Sequence, residues 1–190
     1  MRGLFTWTSW LDLDGGAAAP CVSKASNAAD GAPASLDSGE ICAGRGSLAS
    51  ALVAVHSGEL RLSTRGDADV IDITAEVQRV VAEGPVDDGL VTAFVRGSTA
   101  AITTMEFEPG GMADLRALLD RLVPVEGDYE HNRLNNDTNS HAHQRASLIG
   151  ASEQVPVIGG RLSLGTWQQL VLIDFDDRPR ERTVIVQVVS

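Results

Sequence analysis

Long apolar runs are absent from this sequence. The longest, such as Leu170 to Ile173, fall far short of the roughly 20 residues that a membrane-crossing helix needs, so no membrane partner is expected. Cysteine is scarce: the 190 residues hold 2, Cys21 and Cys42. No CxxC spacing points to zinc or redox chemistry, and two free thiols in a reducing compartment is the simpler reading. Basic residues are outnumbered, 15 against 26 acidic, for a net charge of −11. Such a surface repels phosphate backbones, so no nucleic-acid partner is expected, although a small anion needs only a local positive pocket. There is no GxxxxGK[ST] loop, no GxGxxG after a strand, no HExxH and no EF-hand pattern. The opening MRGLFTWTSWLDLDGG lacks a sustained apolar stretch and carries Asp12 and Asp14, unlike a signal peptide, so a cytoplasmic location is expected.

What is present is a chain with 43% hydrophobic residues and mean hydropathy near zero, long enough for one domain with a real core. Its composition changes near Gly46. The preceding clusters, DGGAAAP and SNAADGAPASLDSG among them, are too poor in large apolar residues to offset the entropy of ordering. Residues 1–46 are therefore read as a disordered or loosely attached extension and residues 47–190 as the folded domain.

Within that domain, Ala51 to Val55 and Glu59 to Ser63 alternate around His56-Ser57-Gly58, predicting a hairpin. Val70 to Ile73 is extended. Thr74 is a candidate N-cap for a helix with Val77, Val80 and Val81 on one face and Gly84-Pro85 at its end. Strands follow at 90–95 and 99–107. A second helix begins after Gly110-Gly111, with Met112, Leu115, Leu118, Leu119 and Leu122 as its stripe, and Pro124 stops it. A long polar loop from Glu126 leads into a short helix from about His141 to Ile149. Strands at 155–158, 166–175 and 182–189 close the chain. The fold class is α+β: mainly antiparallel, β-sandwich-like sheets with two to three short helices.

Three of the four histidines, His131, His141 and His143, crowd into EHNRLNNDTNSHAHQRASLIG. Residues i and i+2 point to different faces of a helix, so His141 and His143 converge only if the first precedes the helix proper. With Asn139 or Ser140 as N-cap, the helix dipole keeps His143 neutral and able to ligate. His131, or a carboxylate such as Glu106, is the candidate third ligand of a divalent ion; the plainer alternative is a set of loop and cap residues bonded to backbone. His56 stands alone. Trp167 is expected to be core, its functional alternative being a wall against which a flat ring stacks. Arg161, Arg178 and Arg180 match phosphate oxygens, or pair with Asp174, Asp176 and Asp177 on the surface. Ser98 and Thr99 open a strand of small residues that Glu106 closes.

These segments resemble the YjbQ-like family, in order and from about Glu59 to Ser190. DITAEV (72–77) is similar to its D-I-T-x-E-V helix start, and DDGLVTAFVRGSTAAITTMEFE to a segment containing His-Thr-Thr-Ala-Ala. NSHAHQRASLIG is similar to N-x-x-x-H-L-x-x-S-L-x-G, and GGRLSLGTWQQLVLIDFDDRPRERTVIVQV to the closing G-R-L-x-L-G-T-W-Q signature with its acidic, Arg-rich tail. The resemblance implies a compact sandwich-like homotrimer, a secondary thiamine-phosphate synthase activity and a metal near histidines. It maps family positions onto His143, Asn139, His131, Glu106, Trp167 and Gln168. One departure stands out: Gly97 occupies the place of the family histidine.

The expectation is thus a metal-dependent enzyme acting on a small phosphorylated or heteroaromatic substrate. His143 and Glu106 are the candidate catalytic residues. Asn139, Trp167, Gln168, Arg161, Arg180, Ser98 and Thr99 are the candidate substrate contacts. His131, His141 and His143 are the candidate ligands of a divalent zinc or magnesium ion. The alternative is a non-catalytic trimeric protein that binds a metabolite or metal.

Overall fold

The computed structural model describes residues 53–190. The expected loose extension 1–46, with Cys21 and Cys42, lies outside them. No helix among the described residues is long and apolar enough to cross a membrane.

The first strand, β1 (Val55–Thr64), pairs antiparallel with the last, β8 (Arg180–Val189), over its whole length, from Val55 opposite Val189 to Thr64 opposite Arg180. The hairpin expected around His56-Ser57-Gly58 is therefore one continuous strand. The small residue there serves packing instead of a turn, since a Cβ on Gly58 would sit 3.0 Å from Val80. Strands β3 (Gly89–Val95), β5 (Ser152–Ile158) and β6 (Arg161–Leu162) complete a five-stranded sheet in the order β1-β8-β3-β5-β6. A second sheet holds β2 (Asp69–Asp72), β7 (Gln169–Asp174) and β4 (Ala100–Met105), with β7 in the middle. All pairings are antiparallel.

The layering follows from strand periodicity. Val184, Val186 and Val188 of β8 face Leu170 and Leu172 of β7 in the core between the sheets, where α1 (Thr74–Glu83) adds Val77, Val80 and Val81. The other face of β7, Val171 and Ile173 with Phe175 just beyond, is covered by Leu119 of α2 (Pro109–Leu122) and by Ala142 and Ala146 of α4 (Ser140–Ile149). Buried on both faces, β7 reads as an unbroken apolar run. Thr74 is the first helical residue and not the cap. Asp72 accepts from the Thr74 amide at 2.9 Å, while the Thr74 hydroxyl accepts from the Leu170 amide at 2.9 Å.

The stretch 126–140, expected to be a polar loop, contains a helix, α3 (Glu130–Asn135), closed by Asn136 in the left-handed conformation at φ 51°. The helices among the described residues number four. Arg133 holds the turn together through Asp128 and Glu130, and Asn132 accepts from the Ser140 amide at 3.0 Å, seating α3 against the start of α4.

Candidate functional site

The start of α4, the start of β4 and the end of β7 meet at one end of the sandwich. Asn139 precedes α4, its carbonyl accepting from the amides of Ala142 at 2.9 Å and His143 at 3.3 Å. Both His141 and His143 are therefore inside the helix, about 200° apart around its axis, and do not converge. His141 is buried, and its pKa is pushed down, first by that burial and then by the Arg145 guanidinium; Asp177 and Asp67 act in the opposite sense. His143 faces the other way, with Nδ1 3.2 Å from the Ser98 carbonyl oxygen. A carbonyl only accepts, so Nδ1 is the donor there, and in the neutral ring the lone pair is at Nε2.

His131 lies against His143 with ring centroids 4.9 Å apart and planes tilted by 59°. Its tautomer is the complement. The Asn135 amide nitrogen, fixed by donating to the His131 carbonyl at 3.0 Å, also meets His131 Nδ1 at 3.2 Å. Nδ1 is then the acceptor and Nε2 carries the proton. Nε2 is sealed from solvent without a hydrogen-bond partner, Asp137 being 4.0 Å away. Asn139 Oδ1 and His141 Nδ1 are likewise buried and unpartnered. Such unpartnered buried atoms are uncommon, but His141 Nδ1 lies on the other side of α4 from His131 and His143, so they do not outline one shared pocket. His143 stands between two open hollows. One, of about 400 Å³, is lined by Gly97, Ser98, Ser147 and Ala151; the other, of about 570 Å³, by Leu122, Val123, Gln144 and Leu148.

The donor types suit a divalent ion, but their arrangement within one chain does not. A zinc site needs three or four converging ligands. Among the described residues no three His, Cys, Asp or Glu side chains gather in that way. His141 is turned to the far side of α4, and the lone pair of His131 is taken by Asn135. The expected ligand trio therefore reduces to a facing pair.

Behind the histidines the two sheets are tied by a buried polar network. Arg182 donates to Asp174 through Nε at 2.7 Å and Nη2 at 2.6 Å, and through Nη2 to the Thr99 hydroxyl at 2.7 Å. Thr99 in turn donates to Asp176 at 2.8 Å, and Arg180 Nη2 donates to the same carboxylate at 3.1 Å. Arg180 Nε also lies 3.0 Å from Asp176 Oδ2, an ion pair whose N–H is not aimed at that oxygen. Burial alone would raise the Asp176 carboxyl, but the bonds from Arg180 and Thr99 outweigh it and hold it at about 2.

The remaining candidates divide by position. Asn139, Ser98, Thr99 and Arg180 are at this end, Thr99 as a buried bridge. Glu106, Trp167 and Gln168 are at the opposite end of β4 and β7, where Met105 pairs with Gln169, a strand length of roughly 17 Å away. Trp167 is 72% exposed, not core as expected, because the chain turns at residues 166–168 before β7 begins. Gln168 donates to Thr104 at 3.0 Å. Arg161 pairs with Ile158 at the end of β5 remote from Ala151, outside the histidine site. Arg182, Arg145 and Asn135 are not among the sequence candidates, and Asp174, expected as a surface partner of an arginine, is fully buried. Phase was the available signal for two of them: Arg182 keeps step with Val184, Val186 and Val188, and Asp174 with Leu170 and Leu172.

Fold and site together define a two-sheet α+β protein with a histidine pair at the mouth of a polar-ended sandwich. The family model described as UPF0047 protein YjbQ-like matches residues 58–190, and the chain belongs to that family. It is 42% identical over 129 residues to a UPF0047 protein of Archaeoglobus fulgidus, covering 68% of this chain and 98% of that one. It is 33% identical over 132 residues to YugU of Bacillus subtilis, covering 69% and 97%. A crystal structure of a YbjQ-like protein of unknown function from Sulfolobus solfataricus superposes with a TM-score of 0.69 at 32% identity, covering 73% of this chain and 99% of that one.

Proposed function

We propose that this protein is an enzyme acting on a small phosphorylated or heteroaromatic substrate by acid–base chemistry at His131 and His143, with thiamine-phosphate synthesis as the concrete reaction. The observation that carries this reading is the facing pair of imidazoles in complementary tautomers. One offers an N–H and the other a lone pair, in a place where neither need is met by the protein. In the reaction, a thiazole nitrogen attacks the methylene carbon of an aminopyrimidine diphosphate. The new C–N bond forms as the C–O bond breaks, and pyrophosphate leaves with the electron pair. Alignment and stabilisation of the leaving charge are the main demands. His143 Nε2, beside the two hollows, is suited to an amino proton of the pyrimidine, whereas His131 Nε2–H and Asn139 Oδ1, sealed behind it, meet the leaving oxygen only after the side chains over them move.

A zinc or magnesium ion would neutralise the diphosphate. Since one chain does not close a site for it, no step here depends on one. A homotrimer, as the resemblance implies, is part of the proposal. The test is turnover of the aminopyrimidine diphosphate with the thiazole phosphate. His143→Ala is expected to lower it about 100-fold, within the usual range for a lost general acid or base; an unchanged rate would sink the reading. Gly97, in place of the family histidine, favours a second reading, a protein that binds such a ligand without turnover. Tight binding by the wild type with no product formed would select it.

A further inference from the structure

Gly97 lies beside Arg182, two positions past the Val95–Val184 pair on each chain segment, and a Cβ on it would come 2.7 Å from Arg182 Nη1. The side chain of Arg182 is 8% exposed, and its guanidinium is fixed on two of its three nitrogens. Nε and Nη2 both bond Asp174, and Nη2 also bonds Thr99. Nη1 has no hydrogen-bond partner among the described residues. It is also not one of the sealed, unpartnered polar atoms, so it keeps contact with solvent. Gly97 itself is exposed and lines the same hollow as Ser98 and His143. A buried, immobilised guanidinium therefore has its one unbonded nitrogen directly behind Gly97, against the place a side chain at residue 97 would occupy.

We infer that Arg182 Nη1, reached past Gly97, is the subsite that takes the phosphate oxygens of the ligand bound at His143, and that Gly97 sets this specificity by leaving the edge uncovered. The inference rests on the function proposed above and adds which group holds the anion. Asp174 offsets much of the charge on Arg182, so the subsite offers directed N–H donors more than a strong field. Free anions should accordingly bind at about millimolar concentration, and a phosphate attached to a larger ligand more tightly. A side chain at residue 97 would have to displace a guanidinium that its partners hold in place, so even alanine should close the site.

The experiment is calorimetric titration of the full chain with inorganic pyrophosphate, beside thermal unfolding with and without it. The wild type should bind and gain thermal stability. Gly97→Ala should bind at least about 10-fold more weakly and gain none, a loss readable as a change in equilibrium constant. If folded Gly97→Ala binds like the wild type, or the wild type does not bind, the inference is overturned. If Gly97→Ala does not fold, Arg182→Lys decides in its place: it keeps the charge but removes the open fork, so lost binding supports the subsite and retained binding overturns it. The two readings fail separately. Absent turnover with pyrophosphate binding that still depends on Gly97 would leave the subsite and remove the enzyme. Turnover sensitive to His143 but not to Gly97 would do the reverse.

Discussion

At the scale of single residues, this protein separates two histidines that sit two positions apart. His141 and His143 share a helix, and the turn between them sends one into the core and the other into the open. The buried one is a sensor of acid. Its pKa is lowered by burial and by Arg145, so between the folded value and the ordinary one near 6.5 the unfolded chain binds the extra proton. Stability from this group is full above about pH 6.5 and is lost as pH falls through the lowered value, at a rate of at most about 1.4 kcal/mol per pH unit. The urea midpoint should fall between pH 7.5 and 5.5, and His141→Gln should flatten that fall. A slope unchanged by the substitution would mean that other groups carry it.

At the scale of elements, α4 is placed by a residue that no motif reading selected. Arg145, buried on the inner side of α4, donates from Nε at 3.0 Å and Nη2 at 2.7 Å to the Val123 carbonyl at the end of α2, and from Nη2 to Asp120 at 2.7 Å. It satisfies a helix-terminal carbonyl that would otherwise be buried without a donor. Arg145→Met keeps the length and removes the donors. The expected cost is about 2–3 kcal/mol, the range for hydrogen bonds to a charged group, read from the urea midpoint. Because α4 carries His143, the same variant should also weaken ligand binding. Most strands and the three longer helices are legible from period and turn residues. The short α3 was not, because its six residues carry no apolar stripe and are held by Arg133 and Asn132 side chains, which periodicity does not register. The hairpin expected at Ser57-Gly58 failed for a related reason: a small residue marks a turn or a close approach equally well, and here Val80 made it the second.

At the scale of the whole molecule, one outer feature has no counterpart among the described residues. Trp167 stands 72% exposed at the end opposite the histidines, and large exposed aromatics are typical of association surfaces. The homotrimer of the proposal should sediment at three times the 20.0 kDa of the chain. Trp167→Ala is expected to change the stability of an isolated chain by no more than about 0.5 kcal/mol, as for other exposed positions, while reducing assembly if this tip takes part in it. Sedimentation across a concentration series checks both statements. A monomer at every concentration would remove the trimer from the proposal.

Most strands, the three longer helices, their apolar faces and the family were readable in the sequence itself, because alternation, helical spacing and the closing glycine-rich signature are properties of neighbours along the chain. The partition of the candidate residues was decided only by the tertiary structure. His131 meets His143 across two helices, Arg182 meets Asp174 across two sheets, and Glu106 and Trp167 are carried a strand length away. These meetings and separations are fixed by how two sheets and a helical layer stack, which no local pattern encodes.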